Sequence, residues 1–129
     1  MSRIMFVLRY RNGEPEPLAM DLVREILGPY ILAADDDFQG GVLIRTTDGY
    51  EVEVDVNPVC LAVSRFPPGQ SFDVLAELVD RLGASVTLPD RPVILRKEED
   101  RAHLPAEARE GAVVVGMTGR AIESFVSGS

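Results

Sequence analysis

Glu51, Glu53 and Asp55 occupy every second position of a strictly alternating run, Glu51-Val52-Glu53-Val54-Asp55-Val56. A strand turns alternate side chains to opposite faces, so the three carboxylates are expected side by side, ~6.5–7 Å apart, with three valines behind them. Like charges that close raise one another's pKa unless solvent or a cation relieves them. Such a row serves as a solvated sheet surface or as an acidic docking face for a basic partner. Glycosidase chemistry would need one carboxyl kept protonated in a dry pocket. With no tryptophan and only eight Phe and Tyr, the chain has little surface for stacking sugars.

A second acidic group, Asp35-Asp36-Asp37-Phe38-Gln39-Gly40, begins like a calcium loop, with Asp35, Asp37 and Gln39 at positions 1, 3 and 5 and Gly40 at the turn. Position 12 is Thr46, where a bidentate glutamate is needed, so a solvated acidic loop is expected and no metal site. Cys60 and His103 are the only residues of their kinds. Cys60 falls in an apolar run and is expected to behave as a small buried hydrophobe. His103 falls in a charged segment and is expected to be solvated. Gly116-Met117-Thr118-Gly119 has the form of the backbone-clamping loop of KH domains. Its middle residues are uncharged, however, and only ten residues follow Gly119. There is no phosphate-binding Gly-rich loop, no His-Glu-x-x-His and no Gly-x-Ser-x-Gly. No nucleophile, base and orienting group cluster in the sequence, so no catalytic residue and no cofactor are expected.

The charge is unevenly distributed. Thirteen basic and twenty-one acidic side chains give −8. Residues 35–57 hold seven acids against Arg45 alone. A concentrated negative field repels phosphate backbones and anionic membranes, and it favours a basic protein partner. The bland alternative is that the acidity keeps the protein soluble. One cysteine makes no internal disulfide, and residues 1–9 lack the pattern of a signal peptide, so a cytoplasmic location is expected. Twelve of the thirteen basic residues are arginine, which suggests a GC-rich bacterial gene.

The elements that must position these residues follow from periodicity. Ile4 to Leu8 is β-prone and ends at the turn formers Asn12-Gly13-Glu14-Pro15. Leu18, Leu22 and Ile26 recur every fourth residue, predicting a helix over 17–28 with Pro17 in its first turn and Gly28-Pro29 as its stop. Strands are expected at 41–46 and 51–56 around the Asp48-Gly49 turn, and at 59–63, whose apolar residues on both faces suggest cover on both sides. The second helix, 71–83, carries Phe72, Leu75, Leu78, Val79 and Leu82 on one stripe, with Ser71 as its expected N-cap. Short strands at 86–88 and 92–95, helical turns within 98–109, a strand at 112–115 and a helix at 120–126 complete the chain. At 129 residues this predicts a single α+β domain. Its sheet is mostly antiparallel, with two main helices on one face and 98–129 as a C-terminal extension.

Phe72-Asp73-Val74-Leu75-Ala76-Glu77-Leu78-Val79-Asp80-Arg81-Leu82-Gly83-Ala84, then Val86-Thr87-Leu88 and Val93-Ile94-Leu95-Arg96, resembles the C-terminal half of Sit-type polymorphic-toxin immunity proteins. The resemblance spans residues 72–96 and carries no signature residue across. It implies a non-catalytic domain that binds and neutralises a cognate toxin. The residues expected to meet such a partner are Asp35, Asp36, Asp37, Glu51, Glu53 and Asp55. The alternatives are a small acidic chaperone acting as a homodimer, or a small enzyme or ligand carrier whose site assembles only on folding.

Overall fold

The computed structural model describes residues 4–34, 40–64, 69–89 and 91–127. Strand β1 (Ile4–Arg11) turns at Asn12-Gly13, both at positive φ, into β2 (Glu14–Glu16). Helix α1 (Met20–Leu27) follows, then β3 (Ile31–Ala33), β4 (Gly40–Arg45), β5 (Glu51–Val56) and β6 (Cys60–Ser64). Helix α2 (Gln70–Leu82) leads to β7 (Ser85–Thr87) and β8 (Ile94–Leu95). A 3-10 helix (Glu98–His103), α3 (Ala106–Arg109), β9 (Val113–Val114) and α4 (Gly119–Ser127) complete the described chain.

The strands form one sheet in the order β3-β4-β5-β6-β1-β7-β8-β9, with β2 beside the outer half of β1. Every pairing is antiparallel except β8 with β9. The fold is therefore a single α+β domain, as the element order predicts. Odd positions of β1 and even positions of β4 and β5 face the helices, and Met5, Val7, Val42, Ile44, Val52, Val54 and Val56 are buried there. Val23 and Ile26 of α1, the apolar stripe of α2, and Ile122 and Val126 of α4 close the same cluster. Three helices cover this face, one more than expected, because residues 113–127 return a strand and a helix to the core. A smaller cluster of Leu95, Leu104 and Ala112, with Tyr10 and Ala108 against it, joins the segment after β8 to the end of the sheet.

Four local expectations are corrected or refined. Helix α1 begins at Met20, not Pro17, since Ala19 is still extended. Gly28 is the C-cap of α1, as expected, but at right-handed helical angles, and the chain tightens into a 3-10 turn through Tyr30. Ser71 is not the N-cap of α2. That position is Gly69, at φ +97, and Ser71 lies buried in the first turn. The exposed amides are satisfied from afar: Gln70 N–H donates to Asp48 Oδ2 at 3.0 Å and Gly69 N–H to Glu123 Oε1 at 3.1 Å. The turn between β4 and β5 and helix α4 thus both anchor the start of α2. Finally, Gly116-Met117-Thr118-Gly119 is the entry to α4. Thr118 Oγ1 accepts the Ala121 N–H at 3.1 Å, the usual N-cap bond.

Gly119 sits where α4 meets the first turn of α2, and a Cβ there would stand 2.6 Å from the Asp73 backbone nitrogen. Gly119→Ala is expected to lose roughly 1–3 kcal/mol in urea unfolding at unchanged m, the usual range for overpacking. Gly111→Ala, with nothing within 4 Å, is the matched control and should move stability by no more than about 0.5 kcal/mol. Asp48 gives a pH signature. Its hydrogen bonds from Thr46 Oγ1 and the Gln70 amide hold its carboxyl below the ordinary value. A depressed folded pKa contributes stability above the unfolded value of about 3.9, and the contribution disappears as pH falls through the folded value. Asp48→Asn should therefore be less stable at neutral pH and show a shallower loss on acidification, as read from melting temperatures across pH 2–7.

Candidate functional site

Each strand that buries one side against the helices presents its other side outward. The register assembles that second face into rows. Gly41, Asp55, Ala62, Phe6 and Thr87 lie opposite one another across five strands. Leu43, Glu53, Ser64 and Ile4 form the row on one side, and Cys60, Leu8 and Ser85 the row on the other. Neighbouring strands stand ~4.8 Å apart, so these rows make one continuous surface. Phe6, Leu8, Leu43, Cys60 and Ala62 are half-buried on it, whereas Glu51, Glu53 and Asp55 are exposed. No described helix covers this middle region; the 3-10 helix and α3 reach only the Tyr10 and Leu95 end.

The carboxylates lie where alternation puts them, and the structure separates their roles. Glu51 is paired across the strands with Arg45, Nη2 to Oε2 at 2.7 Å, with both side chains about half exposed. Glu53 leans over Gly41, its carboxyl carbon 3.7 Å from where a Cβ would stand there, and Asp55 lies directly opposite that glycine. Among the described residues neither Glu53 nor Asp55 has an ion-pair partner. The missing side chain at Gly41 thus leaves room for two carboxylates on adjacent rows. Asp35, Asp36 and Asp37 lie outside the described residues, and so does Gln39, the position-5 residue of the calcium-like loop. Its position-12 residue, Thr46, is buried, with Oγ1 donating to Asp48. No group of three or more metal-ligating side chains occurs among the described residues.

Beside the acids the face turns apolar. Cys60 is half-buried, not fully enclosed, and β6 is covered on one side only: Leu61 and Val63 are buried while Cys60 and Ala62 look outward. Burial first, and the Asp55 carboxylate second, push the Cys60 thiol above its ordinary value. That is the opposite of what nucleophilic activation requires. Burial likewise raises the Tyr10 phenol, with Cys60 adding to the effect. Tyr10 extends towards Thr87 without full hydrogen-bond geometry. Thr87 Oγ1 is the one buried side-chain polar atom without a partner among the described residues.

His103 departs from the expectation of a solvated side chain. It is half-buried at the tip of the β1–β2 hairpin, where Asn12 N–H donates to its Nδ1 at 3.3 Å and Gly13 N–H to its carbonyl at 2.8 Å. The sequence signal available was the Asn-Gly turn, which leaves backbone amides exposed and in need of an acceptor. No hydrogen bond joins His103 to Cys60 among the described residues. A cleft of about 460 Å³ near the starts of α2 and α4 brings Asp73, Glu123 and Arg120 together. There Glu123 is engaged in capping Gly69. No helix among the described residues is long and apolar enough to cross a membrane.

No family model, curated protein or solved structure matches this chain.

The proximity of Asp55 to Cys60 can be measured. A raised thiol pKa means little thiolate at neutral pH, so Cys60 in the folded protein should alkylate with iodoacetamide more slowly than in the unfolded chain. Asp55→Asn should speed the folded reaction by less than about ten-fold, because burial, the larger cause, remains. Equal rates in parent and variant would separate the two side chains.

Proposed function

We propose that this chain is a non-catalytic protein-binding domain that engages a basic partner through the open sheet face, in the manner of an immunity protein neutralising a cognate toxin. The observation that carries the reading is the composition of that face. Half-buried Phe6, Leu8, Leu43 and Ala62 lie beside the carboxylates of Glu53 and Asp55, which have no ion-pair partner among the described residues, on a surface no described helix covers. An apolar centre with charge at its margin is the anatomy of protein interfaces. Exposed sheet surface of this kind is stabilised by being covered.

The sign of the charge selects the partner. Two copies docking through this face would bring two carboxylate rows together, which a homodimer must offset elsewhere. A basic surface would instead relieve Glu53 and Asp55 while covering the apolar rows. Glu51 contributes less, because Arg45 already neutralises it. The same acids disfavour nucleic acid and anionic membrane as occupants. The resemblance of residues 72–96 to Sit-type immunity proteins supports the role class and assigns no residue.

The decisive experiment is co-expression with a toxin-like reading frame, where the gene neighbourhood supplies one, scored by growth and by complex formation. Rescue by the parent chain, lost when Phe6 and Leu43 are changed to serine and the folded state is retained, supports the proposal. Absence of rescue, or rescue indifferent to the face, overturns it. Glu53→Lys with Asp55→Lys should slow association roughly ten-fold at low salt and weaken its salt dependence, because such charges act mainly on encounter. Stopped-flow binding at two ionic strengths reads this directly.

A further inference from the structure

At the far end of β1, segments distant in sequence close around a cavity of about 240 Å³ whose wall carries Arg9, Arg11, Arg96, Lys97 and His103. A chain of net charge −8 thus gathers here four of its thirteen basic side chains, its only lysine among them, together with its only histidine. Three carboxylates, Glu16, Glu99 and Asp100, share the wall. The positive charges still outnumber them, against the trend of the whole molecule.

The two central guanidinium groups are held, not merely present. Arg96 is less than a quarter exposed, and its Nε donates to Asp100 Oδ2 at 2.9 Å. Arg9 Nε lies 3.6 Å from Glu16 Oε2, and that one carboxylate also faces Arg11 at 3.5 Å. Both groups converge on Gly83, the left-handed residue that ends α2. Arg96 Nη2 and Arg9 Nε stand 3.4 and 3.9 Å from where a Cβ would be.

Helix capping does not account for this convergence. A helix C-terminus attracts cations, but the Val79 and Asp80 carbonyls near the end of α2 are taken by backbone: Gly83 N–H donates to Asp80 and Ala84 N–H to Val79. Among the described residues no hydrogen bond runs from Arg9 or Arg96 to a carbonyl of α2. Arg96 makes no further hydrogen bond among the described residues, so the outer edge of its fork is unoccupied. His103 adds a third kind of donor. With Nδ1 accepting from Asn12, its neutral ring carries the proton on Nε2.

We infer that this cavity binds a small oxyanion, a phosphoryl or carboxylate group, between the Arg9 and Arg96 guanidiniums with Lys97 and His103 at its margin. Guanidinium forks match the geometry of both groups, and an anion between them removes the repulsion of holding them together. The site lies on a different surface from the proposed docking face and does not depend on it.

Amide spectra of the intact protein, titrated with inorganic phosphate in one arm and citrate in the other, test it, each against sodium chloride at equal ionic strength. Saturable shifts confined to residues 9–16, 83–84 and 96–103 are expected. Saturation by phosphate alone assigns a phosphoryl ligand, by citrate alone a carboxylate. Shifts no different from those with chloride, or spread over the whole surface, overturn the inference. Arg96→Gln should weaken binding about ten-fold or more, although it also frees Asp100. Arg11→Gln with Lys97→Gln, at exposed positions, leaves that pair intact and should weaken binding roughly two- to five-fold. Unchanged affinity in both variants would overturn the site even if the parent titrates.

Discussion

Strand β1 is hydrogen-bonded along both edges, to β6 on one side and β7 on the other, and the rest of the molecule depends on that double pairing. It is the first described strand of the chain but stands near the middle of the sheet. Val7, wholly enclosed, lies opposite both Leu61 and Val86, so one side chain ties together two halves of the sheet built from distant parts of the sequence. Pairings of such separation pay loop-closure entropy before they gain contacts. The meander β4-β5-β6, joined by tight turns, can form locally, but it gains its fourth neighbour only when β1 docks. α2 links the two halves physically, since it leaves β6 and returns the chain to β7 on the other flank of β1.

From this follows the asymmetry of the two faces. α1, α2 and α4 all pack on the side of Val7, so that side becomes the core. Among the described residues the opposite side is covered at one end, by the excursion from Glu98 to Arg109, with Leu104 and Ala108 against Leu95 and Tyr10. That excursion is itself pinned by the β1–β2 hairpin through His103. Beyond its reach the even-numbered residues of β1 and β6 remain half-buried. An antiparallel sheet ordinarily solvates such a face with polar side chains. Here the β4–β5 half obeys with Glu53 and Asp55, and the β1–β6 half does not.

What was legible in the sequence was whatever has a strong period of its own. Glu51–Val56 alternates without exception, and its burial follows residue by residue. α2 shows its stripe and its glycine stop clearly, and Gly83 takes the left-handed angle expected of that stop. Features set by partners far along the chain were not legible. β2 is three residues with a proline at its centre, and it exists because β1 offers an edge. The caps of α2 come from Asp48 and Glu123, 22 and 54 residues from the amides they receive. The apolar run 59–63 reads as doubly covered, because sequence reports what a strand prefers to bury and not whether a layer exists to bury it. Among the candidate site residues, Glu51, Glu53 and Asp55 could be placed on one face from alternation alone. That Arg45 would neutralise the first of them and Gly41 make room for the other two depended on register.

Net charge illustrates the same limit most sharply. A value of −8 describes a molecule repelled by anions everywhere, yet fields act over roughly a Debye length, ~8–10 Å, not over a whole domain. In the cavity wall beside Gly83 basic side chains outnumber carboxylates four to three, because β1, the end of α2 and the segment after β8 bring Arg9, Arg11, Arg96 and Lys97 to one place. Beside Gly41 lie Glu53 and Asp55, which have no ion-pair partner among the described residues. In each region residues far apart in sequence set the local sign: Arg9, Arg96 and Lys97 come from β1 and from the segment after β8, and the β4–β5 register brings Glu53 and Asp55 beside Gly41.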